Sequence, residues 1–348
     1  MSLLARLLHK AARAVTWEQD RTAGLVALLS AAGVPVNERE ALGLSALWCG
    51  LRVVSEAVGM MPLHLYKKWL GDGRVRAEAH PLYYLLRTSP NPEHTRPVFF
   101  ETLQSHALLH GNAYAEVQRS QAGGPVARWP IHPTRVRPGR AATGAVVYQV
   151  AAGPGQPAVT LPAADVLHVP GLGPDGSAGW RLVELGRNSL GFAIAAQRHG
   201  AAQFRNGGRP GGVITMKGAA DPEATENLRR SWQQMHAGAD NAGKVPLLEE
   251  GMTFTPFVPT NEQSQYTELL AFFVYEVARL LNVPPSKLHD LAKASWRNLE
   301  TFNQDFLTTT LQPRLGKWEA EISRKLLPNE QREYYAEFNP DVLVRVNY

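Results

Sequence analysis

The sequence predicts an α+β fold, and three observations carry that expectation. Apolar residues recur at three- and four-residue steps through several long stretches, and they alternate with polar residues in short runs between turn signals. The strand-like runs also concentrate in the middle of the chain, with long helical stretches before and after it. The 348 residues are ample for a buried core, and 44% apolar residues with 30 Gly and 25 Pro describe a globular chain rich in turns, which excludes collagen, coiled coil and mucin-like classes.

From the N-terminus, residues 1–40 read as an arm, in which Leu3, Leu4, Leu7 and Leu8 among Arg6, Lys10 and Arg13 make a short amphipathic segment without the h-region of a signal peptide. Leu44, Leu47, Trp48, Leu51, Val54 and Val58 form a helical stripe that Met61-Pro62 stops. Leu63–Lys67 and Arg74–Arg76 read as a hairpin about Gly71-Asp72-Gly73. Short helices follow at His80-Pro81 and from Thr95-Arg96-Pro97 to Leu109. Strands are expected at 113–118, 126–129, 146–150 and 166–169.

Helical spacing returns over 181–206, closed by Asn206-Gly207-Gly208. Residues 209–259 read as strand 212–216, a helix capped by Asp221 with Pro222 and running to His236, then strands near 245–248 and 252–258. A long helix spans Glu262–Leu281 and stops at Val283-Pro284-Pro285. Another runs from Ser295 to about Leu327, bent at Pro313, with strands at 333–338 and 342–346 closing the sequence.

Charge and motif narrow the function classes. The single cysteine, Cys49, excludes a disulfide framework and thiolate-rich metal sites, and a reducing compartment is expected. No run approaches the roughly 18 charge-poor apolar residues of a spanning helix, so no membrane is expected as a partner. Net charge is +5, distributed as +2 over residues 1–117, +7 over 118–210 and −4 over 211–348. The cations of the basic middle are all arginines, suited to phosphate or to the acidic third of another subunit.

Gly171-Leu172-Gly173-Pro174-Asp175-Gly176 matches a dinucleotide-binding fingerprint, but without a surrounding β-α-β unit it reads as a surface loop. Residues 238–245 spell a phosphate-binding loop until Val245 replaces the magnesium-binding hydroxyl, and a helix precedes the match where one should follow. His106 and His110 stand at i, i+4 with Glu101 a turn above, the basis of one alternative, a metal-dependent hydrolase. No third ligand follows at a familiar spacing, so packing or capping histidines are expected, with no catalytic residue, metal or cofactor. A second alternative is a monomeric nucleic-acid-binding module, marked by strongly salt-dependent DNA binding.

Gly111-Asn112-Ala113-Tyr114, Trp129-Pro130-Ile131-His132-Pro133-Thr134-Arg135-Val136, Asp165-Val166-Leu167-His168-Val169-Pro170-Gly171-Leu172 and Val277-Ala278-Arg279-Leu280-Leu281-Asn282-Val283-Pro284-Pro285 occur in that order. Together with Phe204-Arg205-Asn206-Gly207 and Leu248-Glu249-Glu250-Gly251-Met252 they resemble the portal proteins of long-tailed double-stranded DNA phages and gene transfer agents, over residues 41–346.

The resemblance implies a non-enzymatic ring, usually a dodecamer, at one vertex of the virion capsid, assembled in the host cytoplasm. DNA passes through it without sequence specificity during packaging and ejection. It assigns residues 41–180 to a wing that meets the major capsid protein, 181–207 and 262–283 to stem helices, and 208–261 to a clip. The clip faces the terminase large subunit and later the head–tail adaptor, with Arg229, Arg230, Trp232 and Lys244 as candidate contacts. Residues 284–297 become a tunnel loop in which Lys287, Lys293 and Arg297 would face DNA, diluted by Asp290. A channel must touch a polyanion without holding it, which calls for few, mobile cations. Residues 298–348 form the long bent helix and the return to the wing. The family commonly continues into a helical crown, which here is expected to be minimal, absent or truncated.

Overall fold

The computed structural model describes residues 15–17, 28–69, 73–152, 157–205, 212–215, 221–236, 252–256, 262–291 and 296–344. They fall into two units: residues 36–187 and 274–344 with the strand at 15–17, and residues 29–35 with 188–273.

The strand β1 (Val15–Trp17) and the two-residue strands β2 (Leu28–Leu29) and β3 (Pro35–Val36) precede the first unit's α1 (Glu38–Leu42), which starts under Asn37, whose side chain accepts from the Glu40 N–H at 2.9 Å. α2 (Ser45–Met60) buries Leu47, Leu51, Val54 and Val58 of the stripe read from the sequence, with Leu44 buried just before it, whereas Trp48, read into the same stripe, is exposed. Its last carbonyls are met by the buried guanidinium of Arg96, which donates to Met61 O and, at 3.4 Å, to Met60 O. β4 (Leu63–Lys68) and β5 (Arg74–Arg76) form the expected hairpin. α3 (Pro81–Arg87) opens with the His80 imidazole accepting from Leu82 N–H, and α4 (Arg96–Leu109) carries Pro97 in its first turn. α4 packs along α2.

β6 (Asn112–Arg119) is central in a three-stranded antiparallel sheet between β11 (Val166–Pro170) and β7 (Pro125–Ile131). Pro130, which cannot donate to a ladder, lies on the edge strand β7. A second sheet orders β1, β8 (Val136–Ala141), β9 (Val146–Val150) and β10 (Val159–Pro162). Tyr114, Ile131 and Val166 from the first sheet share one apolar cluster with Val136, Tyr148, Val150, Val159 and Leu161 from the second. A third sheet orders β14 (Tyr334–Phe338), β4 and β5. Around it Phe100 meets Phe99, Phe338 and Trp318 edge-on at 5.3, 5.4 and 5.6 Å.

Several expectations are corrected here. The helix read over 181–206 is interrupted: α5 (Leu182–Leu185) ends at Gly186, and α6 (Arg187–Arg205) starts anew. β8 and β10 were not expected as strands. Residues 342–346 were expected as a strand, but α11 (Asp341–Val344) occupies the described part of them. Its start explains why, because Asn339 Oδ1 accepts from Asp341 N–H at 3.0 Å and Pro340, just before the first helical residue, has its φ fixed near the helical value.

The long stretch after Ser295 is α9 (Trp296–Asp305), a π-helical segment Phe306–Leu311, and α10 (Gln312–Leu326). The backbone stays helical through all three, with Leu311 and Gln312 both in the α region, so the expected single stretch holds and Pro313 falls just past the π-helical segment, in the first turn of α10. Thr308 and Thr309 hydroxyls donate back to Gln304 O and Asp305 O at 2.9 and 2.7 Å, which weakens the α-helical ladder where it widens.

In the second unit, α6 from Asn188 onward and residues 262–273 of α8 (Glu262–Leu281) pack together. Tyr266 Oη donates to Ala196 O at 3.3 Å, over Gly200, where a Cβ would come 2.2 Å from that hydroxyl. Phe192 and Phe273 meet edge-on at 5.5 Å. Between these helices in sequence come β12 (Gly212–Thr215), paired antiparallel with β13 (Thr253–Pro256), and α7 (Pro222–His236). The strand expected at 245–248 and the phosphate-loop match at 238–245 lie outside the described residues, as does the amphipathic segment 1–14.

Candidate functional site

Three of the sequence landmarks converge on one sheet. β6 carries Asn112-Ala113-Tyr114, β7 leads into His132, and β11 carries Leu167-His168-Val169, with Tyr114 opposite both Ile131 and His168. Gly111, at φ +70°, turns the chain into β6, and a Cβ there would come 2.1 Å from Trp180 O. Gly171 N–H donates to Gly111 O at 2.7 Å, and Trp180 N–H to Leu172 O at 2.9 Å. A Cβ on Gly173 would come 1.8 Å from Ala178 O, and one on Gly179 would come 2.1 Å from Gly111 O. Gly171 and Gly173 of the dinucleotide-like match thus serve backbone-to-backbone approach and Gly176 a turn at φ +74°, and the loop reading stands.

Asn112 and His168 hold this junction. Asn112 Oδ1 accepts from Gly179 N–H at 3.0 Å and faces His168 Nε2 at 3.1 Å, while its Nδ2 donates to His110 O and Gly179 O, both at 3.2 Å. The other His168 nitrogen faces Tyr148 Oη at 3.0 Å, and its ring stacks on Tyr114 at 4.4 Å. These partners suit a neutral ring with Nε2–H donating and Nδ1 accepting.

Burial, with Lys325 and Arg324 nearby, lowers the His168 pKa to about 3. A depressed folded pKa means the unfolded chain binds the extra proton. The stability it contributes is full above about pH 6.5 and declines as pH falls toward 3. Urea midpoints are expected to drop with acidification across that window by the equivalent of several kcal/mol, and less steeply in His168→Asn. A parallel slope in the variant would remove His168 from the account.

A second cluster gathers at the ends of α4 and β7. His106, His110 and His132 bring their rings to 5.0 Å (106 to 132), 4.9 Å (110 to 132) and 6.0 Å (106 to 110). Burial, then the neighbouring His132, lowers His106 to about 4 and His110 to about 3, so both are neutral near pH 7. Glu38 of α1 approaches, with Oε1 3.5 Å from His110 Nε2. Glu101 does not join them, since its side chain lies against Gly59 of α2, where a Cβ would be 2.5 Å from Glu101 Cγ. Neither His132 nor Glu38 stands at a familiar ligand spacing from the histidine pair, and it is His110 alone of that pair that they join. His132 and Glu38 are distant in sequence, and only the meeting of α1, α4 and β7 reveals them.

The third region follows α8. Asn282 adopts φ +52° and His289 φ +62°, on either side of the 3-10 turn Pro285–Leu288. Asn282 Nδ2 donates to Thr309 O at 3.0 Å, the carbonyl whose α-helical donor would have been the missing Pro313 N–H. Thr310 Oγ1 donates to Asn282 O at 2.5 Å, and Arg314 donates to Thr310 O and, at 2.8 Å, to Leu281 O. The end of α8 is thus clasped to the π-helical segment. Neither Asn282 nor Arg314 was singled out from the sequence.

Of the predicted loop cations, Lys287 donates to Asn303 Oδ1 at 2.7 Å with Nζ 5.2 Å from the Phe306 ring centre, and burial lowers its pKa. Lys293 lies outside the described residues, and Arg297 is placed only as a position in the first turn of α9. Arg229 and Arg230 are exposed on α7, Arg229 facing Glu226 at 3.4 Å. Trp232 is a position on α7, and Lys244 lies outside the described residues.

The basic middle is partly inward-looking. Arg119 pairs with Asp165 at 3.0 Å and Arg135 donates to Ala151 O at 2.8 Å. Arg128, wholly buried, lies 4.7 Å from the Phe99 ring centre and donates to Leu85 O at 2.5 Å. Burial without a carboxylate lowers its pKa to about 9. Among the described residues no helix is long and apolar enough to cross a membrane.

Comparison with known proteins agrees with this architecture. The portal protein of Streptomyces phage phiC31, described as probable, is 29% identical over 91% of this chain and 71% of its own. The portal protein of Enterobacteria phage HK97 is 27% identical over 89% of this chain and 73% of its own. A chain from the neck of a native gene transfer agent particle, solved with C12 symmetry, superposes with a TM-score of 0.61 at 24% identity, over 92% of this chain and 90% of that one. The family described as phage portal protein is matched across residues 45–348, and the chain belongs to it.

Proposed function

We propose that this portal-family chain is one subunit of a closed ring at a capsid vertex that passes double-stranded DNA, docks the terminase large subunit during packaging and then receives the head–tail adaptor. The family match across residues 45–348 carries the reading, and the twelvefold symmetry of the related particle neck supports the ring. In it, residues 41–180 are the wing against the major capsid protein, 181–207 and 262–283 the stem, 208–261 the clip, and 284–297 the tunnel loop. Residues 298–348 return the chain to the wing.

The clip contacts fall to Arg229, Arg230, Trp232 and Lys244. Lys287 is engaged by Asn303 and Phe306, so the loop charge facing DNA rests mainly on Lys293 and Arg297. The role asks for no catalysis and no cofactor, and its place is the virion after assembly in the host cytoplasm.

Electron microscopy and native mass spectrometry of the purified chain are expected to show rings with a central hole and about a dozen copies. Deleting residues 286–293 is expected to leave the rings intact and to impair packaging or retention of DNA. Dissociation of the rings would instead make the segment an assembly element. An intact ring that packages normally would remove the tunnel assignment.

A further inference from the structure

The geometry points to a divalent-metal site, with zinc the ion its donors suit, formed by Glu38, His110 and His132. One ligating atom from each lies within 4.8 Å of the other two. Two imidazole nitrogens and a carboxylate oxygen are a donor set that zinc takes, with a fourth position left for water or another side chain. Bonds of about 2.0–2.2 Å in a tetrahedron set ligand atoms roughly 3.3 Å apart, so the trio must contract by at most about 1.5 Å.

The supports of the three groups make that contraction plausible in direction and small in cost. His110 is buried, and its backbone N–H closes α4 onto His106 O, so it is the fixed point. Glu38 is partly accessible in the first turn of α1 and His132 is exposed, so these two side chains supply the movement. His132 Nδ1 lies 2.7 Å from Thr134 Oγ1. The Thr134 N–H also donates to Nδ1, at 3.4 Å, so a metal on Nε2 requires the ring to carry its proton on Nδ1, donate it to the Thr134 hydroxyl and give up the longer backbone contact, an outer hydrogen bond of the kind that fixes the tautomer of a ligating histidine.

A further nitrogen stands beside the trio. His106 Nδ1 is buried and has no hydrogen-bond partner among the described residues, while its ring lies 5.0 Å from that of His132. Ring packing alone accounts for the contacts among the three imidazoles. It does not account for a carboxylate brought to 3.5 Å from one of them and an orphaned nitrogen on another. A bound cation answers the carboxylate directly, with the fourth position left for water.

Such an ion would tie together α1, the end of α4 and the turn after β7, three segments that only the folded chain brings together. It would act as a structural clasp, because binding that requires the fold stabilises the fold. Chelator-stripped full-length protein, titrated with zinc chloride by calorimetry, is expected to take up one equivalent at a micromolar or tighter dissociation constant and to melt at a higher temperature. Cobalt in its place should give the visible absorption of a low-symmetry nitrogen–oxygen site.

Glu38→Gln removes the anionic ligand while keeping its shape, and His132→Asn keeps a side-chain oxygen to cap the following turn. Each is expected to weaken zinc binding at least tenfold and to abolish the melting shift, with the metal-free melting temperature little changed. Replacing His80, which lies in another part of the unit, should leave binding unaltered. Absence of binding in the parent protein, or affinity unchanged in both variants, would overturn the site.

Discussion

Gly111→Ala is expected to cost more than about 4 kcal/mol, enough to deplete the folded protein, given that domains of ordinary size are stable by only about 5–15 kcal/mol. Two causes add. A residue with a Cβ at φ +70° is disfavoured by roughly 1–2 kcal/mol wherever it stands. Here the Cβ would also come 2.1 Å from Trp180 O and 2.7 Å from Gly179 C, which are backbone atoms without a rotamer to escape into. Relief requires separating the strap around residues 171–180 from the start of β6, and with it the bonds of Asn112 to Gly179. Gly144→Ala isolates the first cause, because Gly144 has φ +81° and nothing within 4 Å of a Cβ. Urea unfolding of both variants should separate them by several kcal/mol, and a difference below about 1 kcal/mol would mean the strap yields freely.

Trp318→Ala is expected to lose about 3–5 kcal/mol. The indole is fully buried, meets Phe100 edge-on and donates its N–H to the buried Gln104 Oε1 at 2.9 Å. Truncation therefore opens a cavity between α4 and α10 and strands an amide oxygen. Trp318→Phe keeps most of the volume and removes the donor, so about 1–3 kcal/mol of the loss should remain. If the phenylalanine variant unfolds at the parent midpoint, the hydrogen bond contributes little and the packing alone matters.

Local pattern was enough for elements whose burial is one-sided. α2, α4 and α8 carry their apolar residues on a helical stripe, and β4, β6 and β11 sit close to the ranges read from alternation and turn residues. β8 escaped because Arg137-Pro138-Gly139-Arg140 has the composition of a turn; its strand form is imposed by the ladder with β9. Val342–Val346 looked like a strand because three valines favour one, yet the cap at Asn339 and Pro340 decides its described part otherwise.

The candidate sites were less legible for a different reason. His106 and His110 share a helix and were visible as a pair, but Glu38 and His132 reach them through tertiary packing that leaves no local trace. The clasp on Thr309 by Asn282 is likewise a contact across α8 and α9–α10, even though the proline that frees the carbonyl was plain in the sequence.

The ladder between β14 and β4 has a consequence for how the chain is made. Leu63 pairs with Phe338, so about 275 residues, including residues 188–273 of the second unit, are synthesised between the two halves of one sheet. At roughly 5–20 residues per second, β4 waits about 14–55 s on the ribosome for its second neighbour. During that interval the strand has only β5 beside it, and Leu63 and Leu65, fully buried once the sheet closes, await their final cover. An unpaired edge with apolar residues is where another nascent copy would join. For a protein made in many copies on the same message, the sensitive moment is thus translation itself, and slowed elongation between residues 68 and 334 would raise aggregation without altering a single contact of the finished fold.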